Sequence, residues 1–177
     1  SRRAGRDRGE LLAPGVLQRV VIALGILAMA AFAGTMGIRT FVSQVRLQQG
    51  LGAIYWKDYD GAIRMLNAAH RWAPWNWLPP YHAGNLWAAQ AQHDNAIGNY
   101  EYALERHPNY IPAHIALAKE YFNVAAGKPG ADSEEFLSSC RRHLDAAARL
   151  CPELPETEDV AGRVALAHAT GVWHAEV

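Results

Sequence analysis

Eight histidines and two cysteines are the residues with which this chain could do chemistry, and their spacing narrows that chemistry. His70, His82, His93, His107, His114, His143, His168 and His174 include no i, i+4 pair of the kind that sets two imidazoles on one helical face around a metal. A surface or capping role is expected for each. Cys140 and Cys151 are eleven apart with no C-x-x-C, which is not a metal spacing. A disulfide between them needs their helices to bring the thiols together; the plainer reading is two small buried residues. H-E-x-x-H, G-x-S-x-G, a phosphate loop, a dinucleotide glycine pattern and C-x-x-C-H are all missing. The expectation is a protein that is not an enzyme and uses no cofactor and no metal.

The charges argue for partners other than nucleic acid. The whole chain is neutral, yet residues 1–19 carry Arg2, Arg3, Arg6, Arg8 and Arg19 against only Asp7 and Glu10. Residues 40–177 carry eleven Lys and Arg against fifteen Asp and Glu, so the part expected to fold is mildly acidic. A nucleic-acid binder usually shows a basic folded domain.

Between Arg19 and Arg39 lie nineteen uncharged residues, VVIALGILAMAAFAGTMGI. At about 1.5 Å per residue they span roughly 28 Å of helix, close to the ~30 Å hydrocarbon core of a bilayer. A soluble helix of that length shows a polar face, and this one shows none. One transmembrane helix over residues 16–42 is predicted. A cleavable signal peptide is the rival, with Ala28-Met29-Ala30 or Ala31-Phe32-Ala33 as processing sites. The apolar run exceeds the about 7–15 residues of a signal peptide's core, which favours the anchor. The arginine bias puts residues 1–15 in the cytoplasm as a basic tail and the remainder outside it, in the periplasm if the cell is Gram-negative. Ala23, Ala30, Ala33, Gly34 and Gly37 give the span small-xxx-small pairs at which integral membrane proteins could pack closely.

The elements that follow repeat. A shift of thirty-four residues lays Gly50 on Gly84, Ala62-Ile63 on Ala96-Ile97, Leu66 on Tyr100, Ala69 on Ala103 and Pro74 on Pro108. A shift of forty-four then carries Pro108 to Pro152, with Leu137, Leu144 and Ala147 in matching places. The ten extra residues are assigned to a loop near 125–134, where Gly127, Pro129 and Gly130 break helix. With small residues at helix crossings and a proline closing each unit, the stretch 43–155 resembles the tetratricopeptide-repeat (TPR) family. The units are 43–76, 77–110 and 111–154. The resemblance implies an all-α fold: a transmembrane helix, then a short solenoid of about three helical hairpins, then a capping helix and tail over 156–177. No proline falls between Val16 and Trp56, so the span can run directly into the first hairpin.

The same resemblance implies a concave groove, lined by the first helix of each unit, that binds protein segments. Its lining would be Leu47, Leu51 and Ile54, then Leu78, Tyr81, Asn85 and Ala88, then Ile115, Lys119, Phe122 and Asn123. The polar members could hold a peptide's main chain or carboxylate. A C-terminal helix or a neighbouring subunit filling the groove is an equal alternative. Trp72, Trp75 and Trp77, broken up by Pro74, Pro79 and Pro80, form an aromatic cluster at the junction of the first two units. It reads either as inter-repeat packing or as a docking patch for a partner or the membrane interface. The functional expectation is a scaffolding subunit of a larger membrane complex, energy-transducing or of the cell envelope. It would touch integral membrane proteins through its span, the lipid bilayer, and an extracytoplasmic protein or peptide through the groove. The alternative is an autonomous anchored adaptor or chaperone for client peptides, as in cytochrome or envelope biogenesis.

Overall fold

Glycine and alanine at regular intervals let helices approach closely, and the architecture follows from that. The computed structural model describes residues 14–127 and 131–153, together with Pro155, residues 158–162 and Ala165. It is all-helical there: α1 (Pro14–Tyr55), α2 (Tyr59–Trp72), α3 (Leu78–Ala89), α4 (His93–Arg106), α5 (Ile111–Gly127) and α6 (Ala131–Leu150). Its contacts divide the chain between Phe41 and Val42 into two units.

In the first unit, α1 is an unbroken helix whose side chains from Gln18 onward are nearly all exposed, and Leu27, Met29 and Phe32 each leave more than 60% of their surface uncovered. It is the one helix among the described residues long and apolar enough to cross a membrane.

The second unit is a TPR-like stack of antiparallel hairpins. The end of α1 pairs with α2, α3 with α4 and α5 with α6, and each hairpin leans on the next. The buried faces of the second helices carry the repeat: Ala62, Leu66 and Ala69 on α2; Ala96, Tyr100 and Ala103 on α4; Cys140, Leu144 and Ala147 on α6. Spacings of three and four place each trio on one stripe. The backbone repeats as faithfully. Lys57 and Ala91, thirty-four apart, both adopt left-handed φ (60° and 54°) where the first helix of each hairpin ends. The N–H of Asp58 and that of Gln92 then bond back to the carbonyls of Ala53 and Trp87 at 3.0 and 2.9 Å. The N–H groups of Ala73, His107 and Cys151 close the second helices on Ala69, Ala103 and Ala147. The Asp58 carboxylate caps α2 by accepting from the Gly61 N–H at 2.9 Å. Pro79 and Pro80 fall in the first turn of α3, where no intrahelical donor is lost, and the Leu78 N–H is taken up by Asn76 Oδ1 at 3.1 Å.

The ten-residue insertion is absorbed differently from the expected loop. Helices α5 and α6 are 17 and 20 residues long, against 12 and 14 for α3 and α4, so most of the insertion lengthens the third hairpin. Residues 128–130, with Pro129 and Gly130, lie outside the described residues, as does most of the expected capping segment 156–177 and the basic tail before Pro14. From the capping segment, Val160 is buried in the cluster that Ala118, Phe122, Leu137, Cys140 and Leu144 form between α5 and α6.

Gly84 is where α3 meets α4: a methyl group there would lie 2.7 Å from Cε1 of Tyr100. We expect Gly84→Ala to destabilise the fold, because overpacking of about 1–3 kcal/mol exceeds the ~1 kcal/mol gained in helix propensity. Gly98 on α4 meets nothing, so Gly98→Ala should stabilise by about 0.5–1 kcal/mol. Thermal unfolding of the two variants that moved in the same direction would contradict the close crossing.

Candidate functional site: a protein-binding groove

The first helices of the three hairpins supply the groove residues, and the structure distributes them unevenly. Leu47 is buried against Ala62 and Leu66, with Leu51 and Ile54 packed half-buried on the same cluster. On α3, Leu78 joins that first core, whereas Tyr81 and Ala88 join the next one, around Tyr100 and Leu117. Asn85 stands between them, half-buried, its Oδ1 accepting from the Tyr100 hydroxyl at 2.8 Å. That bond fixes the amide and assigns its N–H₂ group to donor work. On α5, Lys119 is exposed and Asn123 half-buried. Ile115 and Phe122, expected to line the groove, are instead 5% and 4% exposed. Phe122 is covered within the α5–α6 cluster that includes Val160, so it presents almost nothing to a ligand. Of the residues expected on α3 and α5 to line a groove, Leu78, Tyr81, Asn85, Ala88, Lys119 and Asn123 keep exposed surface, one cation and two amides among apolar side chains.

Tyr100 anchors this face. Its ring is 2% exposed, and burial, then Glu120, then Tyr81 push its hydroxyl pKa above the ordinary 10. It remains a donor to Asn85 throughout the neutral range.

The aromatic cluster divides in two. Trp77 is half-buried, its ring 4.3 Å from that of Tyr110 and 4.9 Å from that of His107, which ties the start of α3 to the α4–α5 connection. Trp72 and Trp75 are each 43% exposed.

The histidines do more than surface work. His70 packs edge-on to Tyr102 at 4.7 Å. Its pKa is lowered by burial and by the nearby Arg106. His93 Nδ1 is 2.7 Å from an oxygen of Glu120, a carboxylate only 8% exposed. His93 also borders a cleft of about 690 Å³ between the start of α4 and the end of α5, with Gln92, Asp94, Asn95, Asn123 and Val124. His114 faces His143 across α5 and α6. None of these pairings has a sequence signal, because the partners are twenty-seven and twenty-nine residues apart. Among the described residues, no three of His, Cys, Asp or Glu converge as metal donors. His168 and His174 lie outside them. Cys140 and Cys151 are both free; burial pushes the Cys140 thiol up to about 12, so it stays protonated and serves as the small core residue of α6. On α1, Ala23, Ala30, Ala33, Gly34 and Gly37 are all exposed, and Gly34 and Gly37 have open space above the Cα.

No family model and no curated protein matches the chain. Solved structures do. The first TPR of Spaghetti (RPAP3), bound to the HSP90 peptide SRMEEVD, superposes with a TM-score of 0.64 at 15% identity, over 74% of this chain and 96% of that one. TTC0263, a thermophilic TPR protein from Thermus thermophilus, gives 0.61 at 18% identity, over 72% and 66%. The TPR2B domain of yeast Sti1, in complex with an Hsp70 peptide, gives 0.57 at 18% identity, over 71% and 98%. At these identities the likeness establishes the fold.

Proposed function

We propose that this chain is a non-enzymatic interaction subunit. In this reading α1 anchors it in a membrane over residues 16–42, with the tail 1–15 cytoplasmic, and the repeat stack scaffolds a larger membrane complex, energy-transducing or of the cell envelope, from the extracytoplasmic side. The observation that carries the reading is a 19-residue uncharged stretch, exposed on α1, in a chain whose other unit is a TPR-like stack. Exposed apolar side chains of that extent are costly in water and favourable in lipid. The arginine excess before the span supports the orientation. Two of the superposing TPR structures hold peptides, which supports Tyr81, Asn85, Ala88, Lys119 and Asn123 as a surface for an extended protein segment. Trp72 and Trp75 offer a second docking patch, and Ala23, Ala30, Ala33, Gly34 and Gly37 a face for integral partners.

The test is extraction in mild detergent followed by sizing and mass spectrometry. A stable high-mass assembly is expected. A monomer that captures peptides transiently would replace the scaffold with the autonomous adaptor or chaperone. Within the assembly, Lys119→Glu is expected to weaken retention of the groove partner by roughly 10–100-fold, since a hydrogen bond to a charged group contributes about 1.5–3 kcal/mol. Unchanged retention in Lys119→Glu and in Asn85→Ala would remove the groove from the proposal.

A further inference from the structure

The third hairpin is closed by two histidines that share one hydrogen bond. His114, on α5, is 9% exposed. Its Nε2 lies 2.8 Å from the carbonyl oxygen of Pro108, an acceptor only, so Nε2 carries the proton. Its Nδ1 is then a bare lone pair, and 3.0 Å away stands Nδ1 of His143 on α6. His143 must donate: its proton sits on Nδ1 and points at His114. One polar chain thus runs from the α4–α5 connection through α5 to α6, and it fails once both rings carry two protons.

We propose that the His114–His143 pair is a proton-sensitive clasp that keeps α5 and α6 together at neutral pH and loosens this hairpin in acid. A doubly protonated pair would put two N–H groups and two positive charges face to face at 3.0 Å. The surroundings offer little relief. On α6, Arg142 adds a further positive charge and buried Cys140 stays a neutral thiol. From α5, the Tyr121 ring stacks on His143 at 5.8 Å and 15°. The Tyr121 hydroxyl donates to Glu101 of α4 at 2.5 Å, so that carboxylate is already engaged. Glu135 on α6 is the other acidic group near Tyr121. Burial, then His114, then Arg142 hold the His143 pKa down at about 4.

The sign follows from that depression. The unfolded chain takes a proton at about 6.5 and the folded chain only near 4, so the stability due to neutral His143 is whole above 6.5 and is lost as pH falls towards 4. Lys119 and Asn123 share α5 with His114, so a binding surface there would be released together with the clasp. The clasp itself stands on the hairpin geometry and goes beyond the binding proposal.

The experiment follows amide hydrogen exchange of the full chain in detergent micelles between pH 7 and 4.5, corrected for intrinsic exchange, beside a His143→Gln variant. Glutamine keeps a donor for His114 and cannot titrate. We expect opening of α5 and α6 in the wild type to rise up to about tenfold per pH unit below 6.5, α2 and α3 to change less, and the extra rise to vanish in His143→Gln. NMR titration should place His143 well below 6.5. A His143 that titrates near 6.5, or equal acid sensitivity in wild type and His143→Gln, would overturn the clasp. Loss of partner binding at neutral pH with the exchange pattern intact would instead overturn only the groove.

Discussion

Tyr100→Ala is expected to cost about 3–5 kcal/mol of unfolding free energy, the largest effect of any single substitution in the repeat stack. Tyr100 is the largest fully buried side chain among the described residues. Its ring fills the crossing opposite Gly84, lies 6.0 Å from the ring of Tyr81, and ends in the hydroxyl that holds Asn85. Removing it leaves a void that α3 cannot close, because Pro79 and Pro80 fix its first turn and Leu86 is engaged in the core before it. In a solenoid, stability is a sum of units and nearest-neighbour interfaces, so a failed middle hairpin also uncouples the first from the third. Thermal unfolding of the full chain in detergent should show a midpoint lower by roughly 10–20 °C and a broadened transition. Tyr100→Phe isolates the hydroxyl and should cost only about 1 kcal/mol, since half-buried Asn85 can turn to water. Because the hydroxyl pKa is raised, its contribution is whole below pH 10 and fades above it. Two variants equally stable to within about 0.5 kcal/mol of wild type would show that the ring is not wedged at the crossing.

That site was half legible from sequence, and the two halves differ physically. The stripes Ala62/Leu66/Ala69, Ala96/Tyr100/Ala103 and Cys140/Leu144/Ala147 are local: residues three and four apart must share a helix face, and a fixed shift of thirty-four or forty-four reveals the stacking. The paired left-handed residues Lys57 and Ala91 lay beyond that logic, because neither is the glycine that ordinarily marks such a position. The insertion is hard to read for a related reason: Gly127, Pro129 and Gly130 mark a break but not how far the helices extend on either side of it. Place in the repeat puts Ile115 and Phe122 on the groove face, a rule blind to what the next element covers. The histidine pairings join residues on different helices, and nothing in a single sequence distinguishes His114 or His93 from an exposed imidazole.

Placing arginine at both Leu24 and Met29 is expected to release the chain from membranes, and the contrast with a gentler substitution separates anchoring from partner binding. Both side chains are exposed on α1, at 61% and 72%, and both fall well inside the uncharged stretch. Each arginine near the middle of a span costs about 2.5–3.5 kcal/mol of insertion free energy, against a gain of roughly 0.3–0.6 kcal/mol from a leucine. Two together exceed what the flanking residues can recover by snorkelling, so the protein should move from the alkali-resistant membrane fraction to the soluble or aggregated one. Gly34→Leu with Gly37→Leu raises hydropathy and has open space to occupy, so anchoring should be unaffected. What it removes is the close approach of a second helix, because packing rather than a hydrophobic drive holds helices together in lipid. Co-extraction of integral partners should therefore drop while membrane retention stays complete. Retention of the double-arginine variant in alkali-washed membranes would sink the anchor. Full co-extraction with the double-leucine variant would leave the anchor standing and move the contact with integral partners away from the small-residue face.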